Sequence, residues 1–189
     1  KSSRRDEKSR RRGGDPDDGK GKIPTVLYTK EVQKAMRTIT IQRLTLANFK
    51  GCHSLTLDFQ GRDCSIYGDN ATGKTTVYDA FCWLLFGKDS SGAAKFDIKP
   101  LDETGAVADH GAETSVEAIL SVDGQEVTLK RTYFELWSKK RGNKEASFDG
   151  HSSGFYFNGL PMAKNEFSSR VAQLCDENSF RTLTDLRWF

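Results

Sequence analysis

The stretch that most constrains this chain is Gly68-Asp69-Asn70-Ala71-Thr72-Gly73-Lys74-Thr75, a full match to the phosphate-loop pattern G-x-x-x-x-G-K-[ST]. That pattern carries a structural demand: a strand must run into it and a helix must leave it. Asp63 to Tyr67 is a short strand candidate. Thr75 to Phe86 contains neither Gly nor Pro and spaces Val77, Phe81, Leu84 and Leu85 along one helical face. Gly87 then stands where a C-cap glycine belongs.

The residue types suit phosphate chemistry. Gly68 and Gly73 let the backbone turn tightly, so that successive N–H groups, those of Asn70, Ala71 and Thr72 among them, can point inward at phosphate oxygens. The helix beginning near Lys74 adds the positive end of its dipole. Lys74 is the expected catalytic residue, a mobile point charge for β- and γ-phosphates, and the Thr75 hydroxyl is the expected Mg2+ ligand. Thr76 either adds a contact to the nucleotide or helps cap the helix.

Charge is unevenly distributed. Residues 1–35 hold 11 of the 29 Lys/Arg and 6 of the 26 Asp/Glu, so the net +3 of the 189-residue chain belongs to this segment. Its first 22 residues are nearly free of apolar side chains, which leaves little surface to offset chain entropy. We expect residues 1–35 to be a disordered basic tail or upstream sequence, and Met36 to open the biological protein. Residues 36–189 are then the folded part, with a net charge of −2. The chain starts on Lys and stops abruptly on Leu186-Arg187-Trp188-Phe189, which reads as a fragment at both ends. No apolar run approaches the roughly 18 residues of a membrane span. Cys52, Cys64, Cys82 and Cys175 show no zinc-ligand spacing and read as free thiols of a reducing cytoplasm.

A hairpin precedes the phosphate loop. Ile39 and Ile41, then Leu44 and Leu46, form a long strand with a phase shift at Gln42-Arg43 that reads as a bulge. Asn48-Phe49-Lys50-Gly51 is the turn, and Leu55, Leu57 and Phe59 alternate on the returning strand. After the helix, Ser115–Val122 and Glu126–Phe134 flank Asp123-Gly124, a strong hairpin signal. Phe96 to Asp102 reads as a short extended piece. Lys139, Lys140, Arg141 and Lys144 make a basic loop, Asn158-Gly159 marks another turn, and Asn165 can cap a helix with Phe167, Val171 and Leu174 on its apolar face. Phe180 and Leu183 suggest a short helix after it.

A strand, then Asn48-Phe49-Lys50-Gly51, then a strand ending in Phe59, then Gly68 to Thr76 and a helix with the early pair Asp79-Ala80 resembles the N-terminal head of the SMC, RecF, RecN and SbcC group, SbcC in particular. Leu85-Phe86-Gly87-Lys88 also matches the helix end usual there. Ala71 and Thr72 depart from the pattern, where Gly and Ser or Ala are commoner. The resemblance implies an α/β fold: a phosphate-loop NTPase of ABC-ATPase type, present as the N-terminal half of a head with antiparallel β hairpins. It implies ATP and Mg2+ as cofactors, Lys50 close to the nucleotide phosphates, and Asn70 in its usual place in the loop. Asp79 reads as a helix-surface residue.

Hydrolysis needs a second acidic metal ligand and a residue that positions water. Asp123 ends an apolar strand but fits the hairpin turn better, and no Leu-Ser-Gly-Gly-like signature appears. By resemblance both elements lie beyond a coiled-coil insertion, and a second head, built from a C-terminal half and a dimer mate, completes the site. The expected function is ATP binding and, in the whole protein, hydrolysis coupled to DNA binding in double-strand-break repair or recombination, with a nuclease subunit as a further partner and no membrane. The fragment alone is expected not to turn ATP over. The alternatives are an ATP-gated DNA clamp or scaffold without hydrolysis, and an ABC transporter subunit, against which the Asn48–Gly51 turn argues.

Overall fold

We describe residues 37–69, 73–138 and 147–184 of a computed structural model. The expected tail (1–35), the loop residues Asn70, Ala71 and Thr72, the basic loop around Lys139–Lys144 and the last five residues lie outside the described residues.

The strands β1 (Ile39–Phe49), β2 (Cys52–Asp58), β3 (Thr114–Val122), β4 (Gln125–Ser138), β5 (Ser147–Phe157) and β6 (Leu160–Pro161) form one sheet in the order β2-β1-β3-β4-β5-β6. Every pairing in it is antiparallel. Turn chemistry sets much of that topology. Asp123 (φ 52°) and Gly124 (φ 82°) both take the left-handed conformation that a two-residue hairpin requires, and so do Asn158 and Gly159 between β5 and β6. The β1 bulge is present: Ile41 pairs with Leu120 and Arg43 with Ile119, leaving Gln42 as the extra residue. The carbonyl of Gln42 accepts hydrogen bonds from the Phe59 and Gln60 N–H groups. The extra residue flips the phase, so Leu44 and Leu46 continue the buried face.

Helix α1 (Lys74–Phe86) packs on that face, followed in sequence by α2 (Lys164–Leu174) and α3 (Glu177–Thr184). Val77, Ala80, Trp83, Leu84 and Leu85 of α1 join Leu44, Leu46, Val116, Ala118, Leu120, Leu129 and Phe155 of the sheet in one core. Each large side chain so buried contributes on the order of 1.5–3 kcal/mol. Gly87, at φ 74°, ends α1 and donates its N–H to the Trp83 carbonyl, as its position in the sequence suggests. Phe167 and Val171 anchor α2, with Phe167 against Phe155 at 5.4 Å between ring centroids.

Four local expectations need correction. Asp63–Tyr67 forms no strand; Tyr67 is 89% exposed and Ile66 44%. A strand is held by a neighbour's backbone groups, and the sheet's pairings leave none beside this segment among the described residues. Phe96–Asp102 joins no strand of the sheet; it is irregular, with bends at Phe96 and Lys99 and one isolated bridge between Leu101 and Val107. Ala163, with no side-chain hydrogen bond, occupies the N-cap position of α2 in place of Asn165. Asp79 is buried, at 4% exposure, and does not lie on the helix surface.

Candidate nucleotide-binding site

The site is built at the N-terminus of α1. Gly73 stands at its N-cap with φ 88°, no side chain caps the helix, and no acidic residue lies in its first turn. The N-cap glycine itself offers no side-chain acceptor to the N–H groups of that turn, which present a partial positive charge that favours an anion. A Cβ at Gly73 would meet nothing nearer than Thr76 Oγ1 at 3.8 Å. Backbone conformation, not space, is what asks for glycine here.

Lys74 reaches back over the segment that enters the loop. Its Nζ donates to the Gly68 carbonyl and, at 2.5 Å, to the Asp69 carbonyl. The ammonium is thus held at the loop mouth by two backbone acceptors that an anionic ligand can replace. Thr75 is exposed and Thr76 half-buried, both in the first turn. Gly68 is exposed at the loop entry. Asn70, Ala71 and Thr72 lie outside the described residues, so this geometry rests on Gly68, Gly73, Lys74, Thr75 and Thr76. No cluster of three His, Cys, Asp or Glu that could hold a metal occurs among the described residues.

Lys50 is brought to the side of α1 by the β1–β2 turn. Its own φ is 49°, and its N–H donates to the Ile98 carbonyl at 2.7 Å. Its ammonium lies 2.5 Å from Asp79 Oδ2 and 5.0 Å from the centroid of the Phe96 ring. Asp79 Oδ1 accepts the Ser90 N–H at 2.9 Å. One buried carboxylate therefore fastens the turn and the loop after α1 to the phosphate-loop helix. Asp79 sits five residues beyond Lys74, a rise of about 7.5 Å along the axis.

Sequence reasoning also missed Arg131. It occupies a core-facing position of β4, and its guanidinium is sandwiched 4.6 Å from the Trp83 ring and 5.0 Å from that of Phe155. Its Nη1 donates to the Trp83 carbonyl at 2.8 Å, near the negative end of α1. Burial pulls its pKa down to about 10. The signal was present in the alternation Val127, Leu129, Arg131, where a cation occupies an apolar register. At the same helix, burial raises the Cys82 thiol to about 11, so it stays protonated and inert at neutral pH.

The family profile described as an AAA domain matches residues 43–179. The DNA replication and repair protein RecF of Carboxydothermus hydrogenoformans is 32% identical over 123 residues, covering 62% of this chain and 32% of that protein. The protein of the same name from Rhizobium leguminosarum is 32% identical over 98 residues, covering 49% of this chain and 26% of that protein. The chain thus spans about a third or less of the length of these relatives. A solved structure of the recombination mediator RecF with ATP, from the RecFOR pathway, is 19% identical with a TM-score of 0.46, covering 70% of this chain and 31% of that one. The profile match spans well over half of the sequence, so the chain belongs to the AAA domain family, within the SMC/RecF type of ABC-class ATPases.

Proposed function

We propose that this chain binds ATP with Mg2+ at the N-terminus of α1, as the N-terminal part of an ATPase head that acts in DNA repair or recombination. The observation that carries the reading is the uncapped, Gly73-opened start of α1 with the Lys74 ammonium poised over the loop. Gly68, Gly73 and Lys74, with the backbone of Asn70, Ala71 and Thr72, would hold the phosphates. Thr75 would supply the protein's oxygen to Mg2+, and Thr76 would sit behind it. Bound Mg2+ supplies charge neutralisation at the phosphate oxygens. Lys50 is a candidate second cation for the phosphates once it leaves Asp79.

Turnover belongs to the longer protein, where a second head would complete the site and DNA would be the partner. Within the group, the RecF names of the curated relatives move the reading from SbcC toward RecF. A role in double-strand-break repair, a coiled coil and a nuclease partner rest on the sequence resemblance, and a cytoplasmic location on the scattered free cysteines.

The test is titration of the chain with a fluorescent ATP analogue, with and without Mg2+, for wild type and Lys74→Ala. Removing one charge-assisted phosphate contact is expected to weaken binding at least about tenfold. Equal affinity of the two proteins, or multiple turnovers by this chain alone that vanish in Lys74→Ala, would each refute part of the reading: the first the site, the second its incompleteness.

A further inference from the structure

The C-terminal end of α1 opens on a bay of about 740 Å³ that the nucleotide site does not use. Gly87, Lys95, Phe96, Arg131, Tyr133 and His151 are among the residues in its wall. Helix α1 is 13 residues long, so this end lies about 18 Å along the axis from Lys74.

Arg131 is the unusual group in that wall. The Trp83 and Phe155 rings cover its two faces, at 4.6 and 5.0 Å, so a ligand can meet only its edge. Nη1 is engaged by the Trp83 carbonyl. Nε is buried without an acceptor, and Nη2 has none among the described residues. Nε and Nη2 together form a two-donor fork whose spacing matches two oxygens of a carboxylate or phosphate. No Asp or Glu pairs with this guanidinium among the described residues. A buried cation normally carries an anionic partner. Capping α1 accounts for Nη1 and leaves the fork unexplained. Gly87 also keeps space open beside it: a Cβ there would stand 2.6 Å from Nη1 and 3.1 Å from Nη2.

We propose that the bay binds a small organic anion, with one carboxylate or phosphate group on Arg131 and an apolar body against the neighbouring rings. Lys95 is exposed and makes no hydrogen bond or ion pair among the described residues, so its ammonium is available to the same group. Asp97 is the one carboxylate among the lining residues, set against the two cations Arg131 and Lys95, and the bay is net positive. Phe96 and Tyr133 supply ring surface, and His151 stacks on Tyr133 at 4.9 Å. The volume suits a ligand larger than a bare ion, since small-molecule sites run to about 300–1,000 Å³.

The test needs no nucleotide, so it can fail independently of the nucleotide site. We would titrate the chain carrying Lys74→Ala, which weakens competition from the phosphate loop, with benzoate, phenyl phosphate and the neutral benzamide, following amide chemical shifts. Benzoate, phenyl phosphate or both are expected to bind with a Kd of about 1–10 mM, and benzamide at least about tenfold more weakly. Binding of benzoate alone assigns a carboxylate, and of phenyl phosphate alone a phosphate. The shifts should fall in residues 94–98, 131–133 and 151–153. Arg131→Met is expected to weaken binding about tenfold, and the exposed Lys95→Glu by a similar factor. Should Arg131→Met not fold, Lys95→Glu decides alone. Four results would overturn the proposal: no binding of either anion by about 50 mM, benzamide as tight as the anions, shifts confined to residues 66–78, or an affinity unchanged in Lys95→Glu. Binding of a glutamate-rich peptide with neither small anion bound would make the bay a protein contact and equally overturn it.

Discussion

The Lys50 ammonium lies 2.5 Å from Asp79 Oδ2, so the first turn of the sheet is tied directly to the helix that follows the phosphate loop. Asp79 also receives the Ser90 N–H. Removing the carboxylate strands both donors. Asp79→Ala is expected to cost about 2–3 kcal/mol in urea unfolding, toward the low end for a broken buried pair because the Lys50 side chain is 27% exposed. A cycle with Lys50→Met and Asp79→Asn should show coupling of about 1 kcal/mol or more; additive losses would mean that the pair does not act as a unit.

Arg131 and Gly87 form a second coupled pair. A Cβ on Gly87 would lie 2.6 Å from Arg131 Nη1, and Gly87 also holds φ 74°. Gly87→Ala should therefore displace the guanidinium from the Trp83 carbonyl as well as strain the cap. We expect a loss of about 2 kcal/mol or more, against about 1 kcal/mol for the φ penalty alone. Introducing Arg131→Met beside it should recover part of the excess. A loss no larger than the φ penalty would show that Arg131 moves aside freely.

The docking of α3 should fail in acid. Burial alone would raise the Glu177 carboxyl, but hydrogen bonds from Lys88 and Arg181 outweigh it and hold the group below its ordinary 4.5. Arg181 in turn donates to the carbonyls of Asp89 and Ser90. Because the folded value is depressed, the clamp contributes fully above about pH 4.5 and is lost as pH falls through the folded value. Phe180, set among Tyr78, Phe81 and Phe86, keeps an apolar hold on α3 at any pH. Amide protection in residues 177–184, taken relative to the intrinsic exchange rate at each pH, should therefore fall as pH drops below 4.5 in wild type, and Glu177→Gln should flatten that dependence.

Much of the sheet was legible because its signals are local. The bulge at Gln42, the Asp123-Gly124 turn and the alternation of Val116, Ala118, Leu120 and Val122 each follow from a few neighbouring residues. The left-handed turn at Gly73 and the start of α1 at Lys74 were legible for the same reason. Asp79 was not, since its burial is created by Lys50, 29 positions earlier, and by the loop at Ser90. The Asp63–Tyr67 segment was misread because apolar alternation reports strand tendency, whereas a strand also needs a ladder partner. The contact between the Trp137 and Phe148 rings escaped notice because it arises only when the register sets these two residues opposite each other.

Gly73 offers a test that separates conformation from space. Its φ of 88° is reached easily only without a Cβ, yet a Cβ would find about 3.8 Å of clearance. Gly73→Ala should therefore fold, losing about 1 kcal/mol, while the start of α1 relaxes away from the geometry that aims its N–H groups. ATP-analogue affinity should drop about tenfold or more, the loss of roughly one aimed hydrogen bond to a charged group. Asn tolerates the left-handed region better than Ala, so Gly73→Asn should fall between the two in both stability and affinity. If Ala and Asn lose affinity equally while differing in stability, the added side-chain atoms and not the backbone angle would be what the phosphates reject. Thr75→Ala serves as the companion measurement. It leaves the backbone untouched and should remove only the increment in affinity that Mg2+ confers.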